Sequence, residues 1–356
     1  MTVYPGFSTA DMDDIFSLSA RVAAMSAVEA AVATAQAREG MIPTAAAEAI
    51  VAACREPVSV DVLAQGWDVG TPVLPLLDEL RRRVAADAAQ FVHRDLTTQD
   101  VVDTATMLLV SEALRHLGEL AARAATALHT IIERDGDVAT QARSFLQPAD
   151  VTTVGFRTAR WLDQLDGVRR KVSTVETPVQ LGGLIGDGMG LSDRIVADVA
   201  AELGLHPRSP WHTDRAPMIA VVTIATDLAR WAAKVAGDVA QLVQLGEVTT
   251  RAGGSSAAAG KRNPIDAMRG AAAAEACLSI ATVVTNAKPH ELERGLGSWH
   301  AEWLAVPLVF QTAGAAVEAV AAALSSLAVE PSALVVADDR RAAADAYVTK
   351  VLERSP

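Results

Sequence analysis

One stretch limits the fold more than any other. From Thr97 to about Arg134 the sequence keeps a helical apolar pattern until "DGD" at 135–137 ends it. Thr97 followed three residues later by Asp100 is a capping signal at its start. Roughly 37 residues at a rise of about 1.5 Å make a rod roughly 55 Å long. Such a rod gains its stability from packing an apolar face against other helices.

Those partners are legible. A second long helix is predicted from Val151 to about Glu176. A third opens at Pro217, with Leu228, Trp231, Val235, Val239 and Leu242 on one face and Asp227, Arg230, Lys234, Asp238 and Gln241 beside it. A fourth begins at Asn263 and stops at Pro289, and a fifth runs from about Trp299 to Leu327. Before the bundle, a helix from Ser17 to roughly Arg38, with Arg21 and Glu29 among apolar residues, ends at Gly40, and Pro43 opens the next. "GWDVGTPVLP" at 66–75 reads as a loop, and the charge-rich end of the chain as one or two short helices.

The predicted fold is therefore all-α: an N-terminal helical domain over 1–97, a central long-helix bundle over 98–335 and a short C-terminal helical piece over 336–356. Aromatic residues are only 4% of the chain, while Ala and Val are abundant, which suits closely spaced helices. Their faces are richer in Ala and Val than one bundle interior requires, so association of subunits is expected. The net charge of -12 argues against a nucleic-acid or anionic membrane partner, yet permits a small anion held by local cations. Cys54 and Cys277 lack companions at metal-ligand spacing, so neither a disulfide framework nor a metal site is indicated. The first residues carry no secretory pattern, and Val306–Val329 reads as a buried helix rather than a membrane span, so a cytoplasmic protein is expected.

Four polar segments break the helical pattern: "HRDLTTQD" at 93, "RSFLQPADVTT" at 143, "PWHTDR" at 210 and "GGSSAAAGKRNP" at 253. Each shortly precedes a long helix, where free N–H groups and the helix dipole favour anions. Local structure is a sufficient reason for several of these residues taken singly. Thr97 and Asn263 fit as N-caps, and His93 and His212 as satisfied structural histidines. Lys261 fits less well, because a cation at a helix N-terminus opposes the dipole; it calls for an anionic partner.

The loop "GSSAAAGKRNP" resembles the GSSxMPxKxNP signature of the fumarase/aspartase superfamily, with Ser255, Lys261 and Asn263 in register. "HRDLTTQDVVDTA" and "RSFLQPA" are similar to two further regions of that superfamily, in the same order. "PWHTDR", "ERGLGSWHAEW" and "QLGGLIGDG" resemble its bacterial 3-carboxy-cis,cis-muconate cycloisomerase branch. The resemblance spans about residues 15 to 335 and implies a C-terminal domain shorter than usual. Departures occur at Asp95, where the pattern has glycine, at Pro148, where it has histidine, and at Ala258 and Ala259, where it has Met-Pro.

The resemblance implies an enzyme without metal or organic cofactor that closes 3-carboxymuconate onto one of its own carboxylates, giving γ-carboxymuconolactone. It implies Ser255 as general acid/base on carbon, with Lys261, Asn263, Ser256, Thr97, Thr98 and Gln147 binding carboxylates. His93 would contact the substrate or polarise a carboxylate, and His212 and Arg215 are further binding candidates. It also implies a homotetramer whose central helices form the core and whose sites are shared between subunits. Two other functions stay open: a catalytically impaired oligomeric scaffold, favoured by the four departures, and a lyase eliminating fumarate from a succinyl adduct such as adenylosuccinate.

Overall fold

A computed structural model describes residues 4–258 and 260–355. Its elements in order are α1 Ala10–Ile15, α2 Leu18–Arg38, α3 Thr44–Arg55, α4 Asp61–Asp68, α5 Val73–Arg83, α6 Ala86–Ala89, α7 Thr98–Asp135, β1 Ala139–Ser144, β2 Gln147–Thr153, α8 Val154–Thr174, α9 Asp193–Leu203, α10 Ala216–Gln244, β3 Val248–Thr249, α11 Ile265–Thr285, α12 Ser298–Ser325, β4 Ala328–Val329 and α13 Asp338–Leu352. The fold is all-α, a bundle of long helices.

Side-chain contacts give the helix directions. Trp299 at the start of α12 donates through Nε1 to Asp103 near the start of α7 at 2.9 Å. At the other end, Arg134 of α7 donates to the Leu327 carbonyl just beyond α12 at 2.8 Å. These two helices are parallel. α11 runs the opposite way, since Cys277 Sγ meets the Val309 carbonyl at 3.5 Å and Gly270 lies against Val320 and Ala316. A Cβ on Gly270 would stand 2.8 Å from Val320 Cγ2, so the glycine permits this close approach. We call the end holding Thr97, Arg215 and Trp299 proximal and the end holding Leu327 distal.

The rod expected from Thr97 is α7, 38 residues long, with Thr97 as its N-cap and its N–H donating to Asp100 Oδ2 at 2.9 Å. Leu117, Leu120, Leu128 and Ile131 of α7 and Phe310 of α12 are fully buried. The expected loop at 66–75 is shorter, because α4 continues to Asp68 and α5 begins at Val73 with Pro75 in its first turn. Proline is tolerated there, where no intrahelical N–H partner is lost. The helix expected from Val151 starts at Val154, capped by Thr153, because the preceding residues form β2. Asn263 is not the N-cap of α11: that position is Pro264, and Asn263 instead forms a β-bridge with Gly253.

The hairpin of β1 and β2 has no counterpart in the sequence reading. Phe145 and Leu146 turn it with φ of 49° and 63°, and Pro148 pairs with Arg143 beside a register shift. Proline in a strand is accommodated at such an irregularity. α2, α11 and α12 are each long and apolar enough to cross a membrane. Protein covers 83% of the apolar window of α12 but only 39% of that of α11. Met268 and Val283 stand exposed on α11, an apolar face that the single chain leaves uncovered.

Candidate active site

At the proximal end the carboxylate of Asp100, wholly buried, gathers the chain around itself. It accepts from Thr97 N at 2.9 Å, Gly182 N at 2.8 Å, Gly183 N at 2.9 Å, Gln180 Nε2 at 3.1 Å and His212 Nε2 at 2.9 Å. Since a carboxylate only accepts, His212 carries its proton on Nε2. Its Nδ1 has no hydrogen-bond partner among the described residues, and Gly182 and Gly186 pack on the ring. His212 thus anchors two loops to α7.

One helical turn on, Arg215 lies buried between two carboxylates. Nη1 and Nη2 donate to Asp103 at 2.7 and 3.2 Å, and Nε and Nη2 to Glu302 at 3.2 and 2.5 Å. Burial alone lowers the basicity of Arg215, and the two carboxylates more than reverse this; burial in turn raises Glu302. With four of its five N–H donors engaged, Arg215 holds the bundle end together. Replacing it, as in Arg215→Met, leaves Asp103 and Glu302 without a cation and should cost about 3–5 kcal/mol of stability, read from urea unfolding. A loss below about 1 kcal/mol would show that the carboxylates manage without it.

His93 faces outward from this centre. Its Nδ1 sits 2.6 Å from Glu29 Oε1 of α2, a contact that fixes the ring. Arg294 donates to Thr97 Oγ1 at 2.5 Å and to the Leu184 carbonyl at 3.3 Å. Thr98 is half-buried and has no side-chain hydrogen bond among the described residues. Asp95 adopts φ 61°, the conformation that explains glycine in the superfamily pattern, and lies against Gly190. His93, Thr97, Thr98, His212 and Arg215 therefore come together at one end.

The remaining candidates are at the other end. Arg251 N donates to Ser326 Oγ at 3.0 Å at the distal tip of α12, and the loop 253–263 follows. Ser255 Oγ accepts from Ala257 N at 3.3 Å and Ala258 N at 3.2 Å, so two N–H dipoles point at the oxygen. Such donors stabilise negative charge developing there. Asn263 Nδ2 donates to the Gly254 carbonyl at 3.1 Å and closes the loop base. Lys261 and Ser256 are exposed, and Lys261 has no acidic partner among the described residues. Ala259 lies outside the described residues. Gln147 is exposed at the start of β2, in the hairpin that Arg143 ties to Glu247 beside β3. α12 spans 28 residues, Ser298–Ser325, so about 40 Å separates the two sets within one chain.

A family model described as "Lyase" matches residues 8–278, more than half the chain. The chain belongs to the fumarase/aspartase lyase family. It is 35% identical over 334 residues to a 3-carboxy-cis,cis-muconate cycloisomerase of Pseudomonas aeruginosa, covering 88% of this chain and 72% of that one. It is equally 35% identical over 338 residues to a nitrosuccinate lyase of Streptomyces davaonensis, covering 88% and 71%. A crystal structure of the 3-carboxy-cis,cis-muconate lactonizing enzyme from Pseudomonas putida superposes with TM-score 0.84 at 28% identity, covering 91% of this chain and 76% of that one.

Several residues that shape this candidate site were missed in the sequence: Glu29 behind His93, Asp103 and Glu302 around Arg215, Arg294 on Thr97, and His290. The available signal was a charge inside an apolar helical pattern, as with Glu29 and Glu302. Among the described residues, no group of three or more His, Cys, Asp or Glu is placed to hold a metal.

His290 is enclosed, with Gly295 on its ring and Nε2 3.6 Å from Glu302 Oε1. Burial, then the charge of Arg215, lowers its affinity for a proton, against the backbone of His212 and the charges of Asp103 and Glu291 acting the other way. A folded value below the ordinary 6.5 means that its stabilising contribution is full above 6.5 and is lost as pH falls through the window beneath. His290→Gln should flatten the decline of the urea midpoint between about pH 7 and pH 5. An unchanged decline would assign it to other groups.

Proposed function

We propose that this lyase is a 3-carboxy-cis,cis-muconate cycloisomerase, forming γ-carboxymuconolactone in a cytoplasmic homotetramer. The observation that carries the reading is the split between the two ends. The Ser255 loop holds a hydroxyl under two N–H dipoles and carries Lys261, which has no acidic partner among the described residues, about 40 Å from His93 and Thr97. Oppositely directed subunits would bring one chain's loop to another's His93 and Thr97, and the uncovered face of α11 supplies apolar surface for that contact.

In lactonisation a substrate carboxylate oxygen adds to the alkene and leaves negative charge α to another carboxylate. Ser255 delivers its proton to that carbon, while Lys261, Asn263, Thr97 and Thr98 hold the dianionic carboxylate. Ser256 and Gln147 are further carboxylate donors, and the domain division 1–97, 98–335 and 336–356 follows the same subunit plan. Four of the relatives at 31–35% identity carry the cycloisomerase name, which supports this substrate.

The relative named nitrosuccinate lyase favours a second reading, elimination from a substituted succinate, in which the same serine removes a proton from carbon. Purified protein is incubated with 3-carboxymuconate, with nitrosuccinate and with adenylosuccinate, following ultraviolet absorbance and products. Lactone formation is the expected result; fumarate from either succinate would transfer the mechanism to elimination. An intact oligomer inert on all three would make it the impaired scaffold. Asp95 and Pro148 have local conformations that accept them, which weakens that last reading.

A further inference from the structure

A separate cavity of about 190 Å³ lies where α2, α4, α7 and α12 meet, away from the Ser255 loop. Phe16, Leu63, Trp67, Trp303 and Val306 give it apolar and aromatic walls. This volume is close to that of an engineered apolar cavity, about 150 Å³, that takes up benzene, so it suits one ring.

Two donors in its lining residues are unused. Arg21 places Nη1 on the Trp303 carbonyl at 3.0 Å and Nε on the Phe16 carbonyl at 3.4 Å, but Nη2 bonds to nothing among the described residues. Among the described residues no carboxylate pairs with this half-buried guanidinium, and burial lowers its basicity. Trp303 Nε1 is buried without an acceptor. An unpaired buried donor is costly, and a ligand that satisfies it recovers that cost. Asp103 and Glu302 also line the cavity, yet both are engaged by Arg215.

We propose that this cavity is a binding site for a small aromatic carboxylate, its ring between Trp67 and Trp303 and its carboxylate on Arg21 and the Trp303 indole N–H. It requires no turnover and stands apart from the proposed reaction. Because Asp103 and Glu302 belong both to the cavity and to the Arg215 network, its occupant would contact the supports of the proximal site.

Calorimetric titration of the intact protein with benzoate tests this, with benzyl alcohol as the uncharged comparison. The expected result is one site per chain, weakened about 10-fold in Arg21→Met and several-fold in Trp303→Phe, with benzyl alcohol about 10-fold weaker than benzoate. Leu63→Trp, which fills the cavity from its rim, should abolish binding even if Arg21→Met does not fold. Lys261→Met should leave it unchanged. Absence of binding by folded protein at millimolar benzoate overturns the proposal. So does binding that survives Leu63→Trp but vanishes in Lys261→Met, since that ligand would occupy the Ser255 region. Equal affinity for benzyl alcohol would overturn the assigned carboxylate contact.

Discussion

Ser255→Ala will lower turnover of 3-carboxymuconate by about 1,000-fold while the oligomer and its unfolding midpoint stay close to wild type. A positioned acid or base on carbon contributes about 100- to 10,000-fold, and no second hydroxyl in the loop shares the same pair of N–H donors. The stability side follows from how little Ser255 touches. Among the described residues its Oγ bonds only to the N–H groups of Ala257 and Ala258 within its own exposed loop, so its loss returns two amides to water. The cost should be no more than about 1 kcal/mol. Steady-state rates with each substrate, alongside urea unfolding of the same preparations, separate the two effects. A variant that keeps most of its activity would remove Ser255 from the mechanism.

The loop was conspicuous in sequence because Lys261 opposes the dipole of the helix that follows, and the structure leaves it without a carboxylate among the described residues. Helix existence was equally legible, since α7 and α10 repeat their apolar residues with helical period over many turns. Boundaries were less so. Asn263 and Pro264 make a good cap and first residue by local rules, yet pairing between Asn263 and Gly253 shifts the start to Ile265. The β1–β2 hairpin escaped because Phe145 and Leu146, which turn it at positive φ, are not residues that announce such a turn.

Among the candidate residues, His212 and Arg215 illustrate a different limit. Sequence marks them as polar groups at the head of a helix, but their chemistry depends on carboxylates 112 positions away, Asp100 and Asp103, and on Glu302, 87 positions away. Only the parallel run of α7, α10 and α12 makes one buried network of them. His93 likewise depends on Glu29, which reads as an interruption of an Ala-rich helix until the two are seen 2.6 Å apart.

Mixing two inactive variants will restore activity. If His93 from one subunit and Ser255 from another complete each site, homo-oligomers of Ser255→Ala and of His93→Gln are both defective, each by about 100-fold or more. Subunits scrambled by reversible denaturation of an equal mixture then form sites at random. A site is intact when its His93 donor comes from the Ser255→Ala chain and its Ser255 donor from the His93→Gln chain. Each condition holds for about half of the subunits, so about one quarter of the sites, and of wild-type activity, should return. His93→Gln keeps a hydrogen-bonding side chain opposite Glu29, so the test does not require an empty space at that contact. If both groups acted from one chain, every site would retain one defect and no activity would return. The separation of about 40 Å along α12 makes that outcome incompatible with the shared-site reading and with the role given to the exposed face of α11.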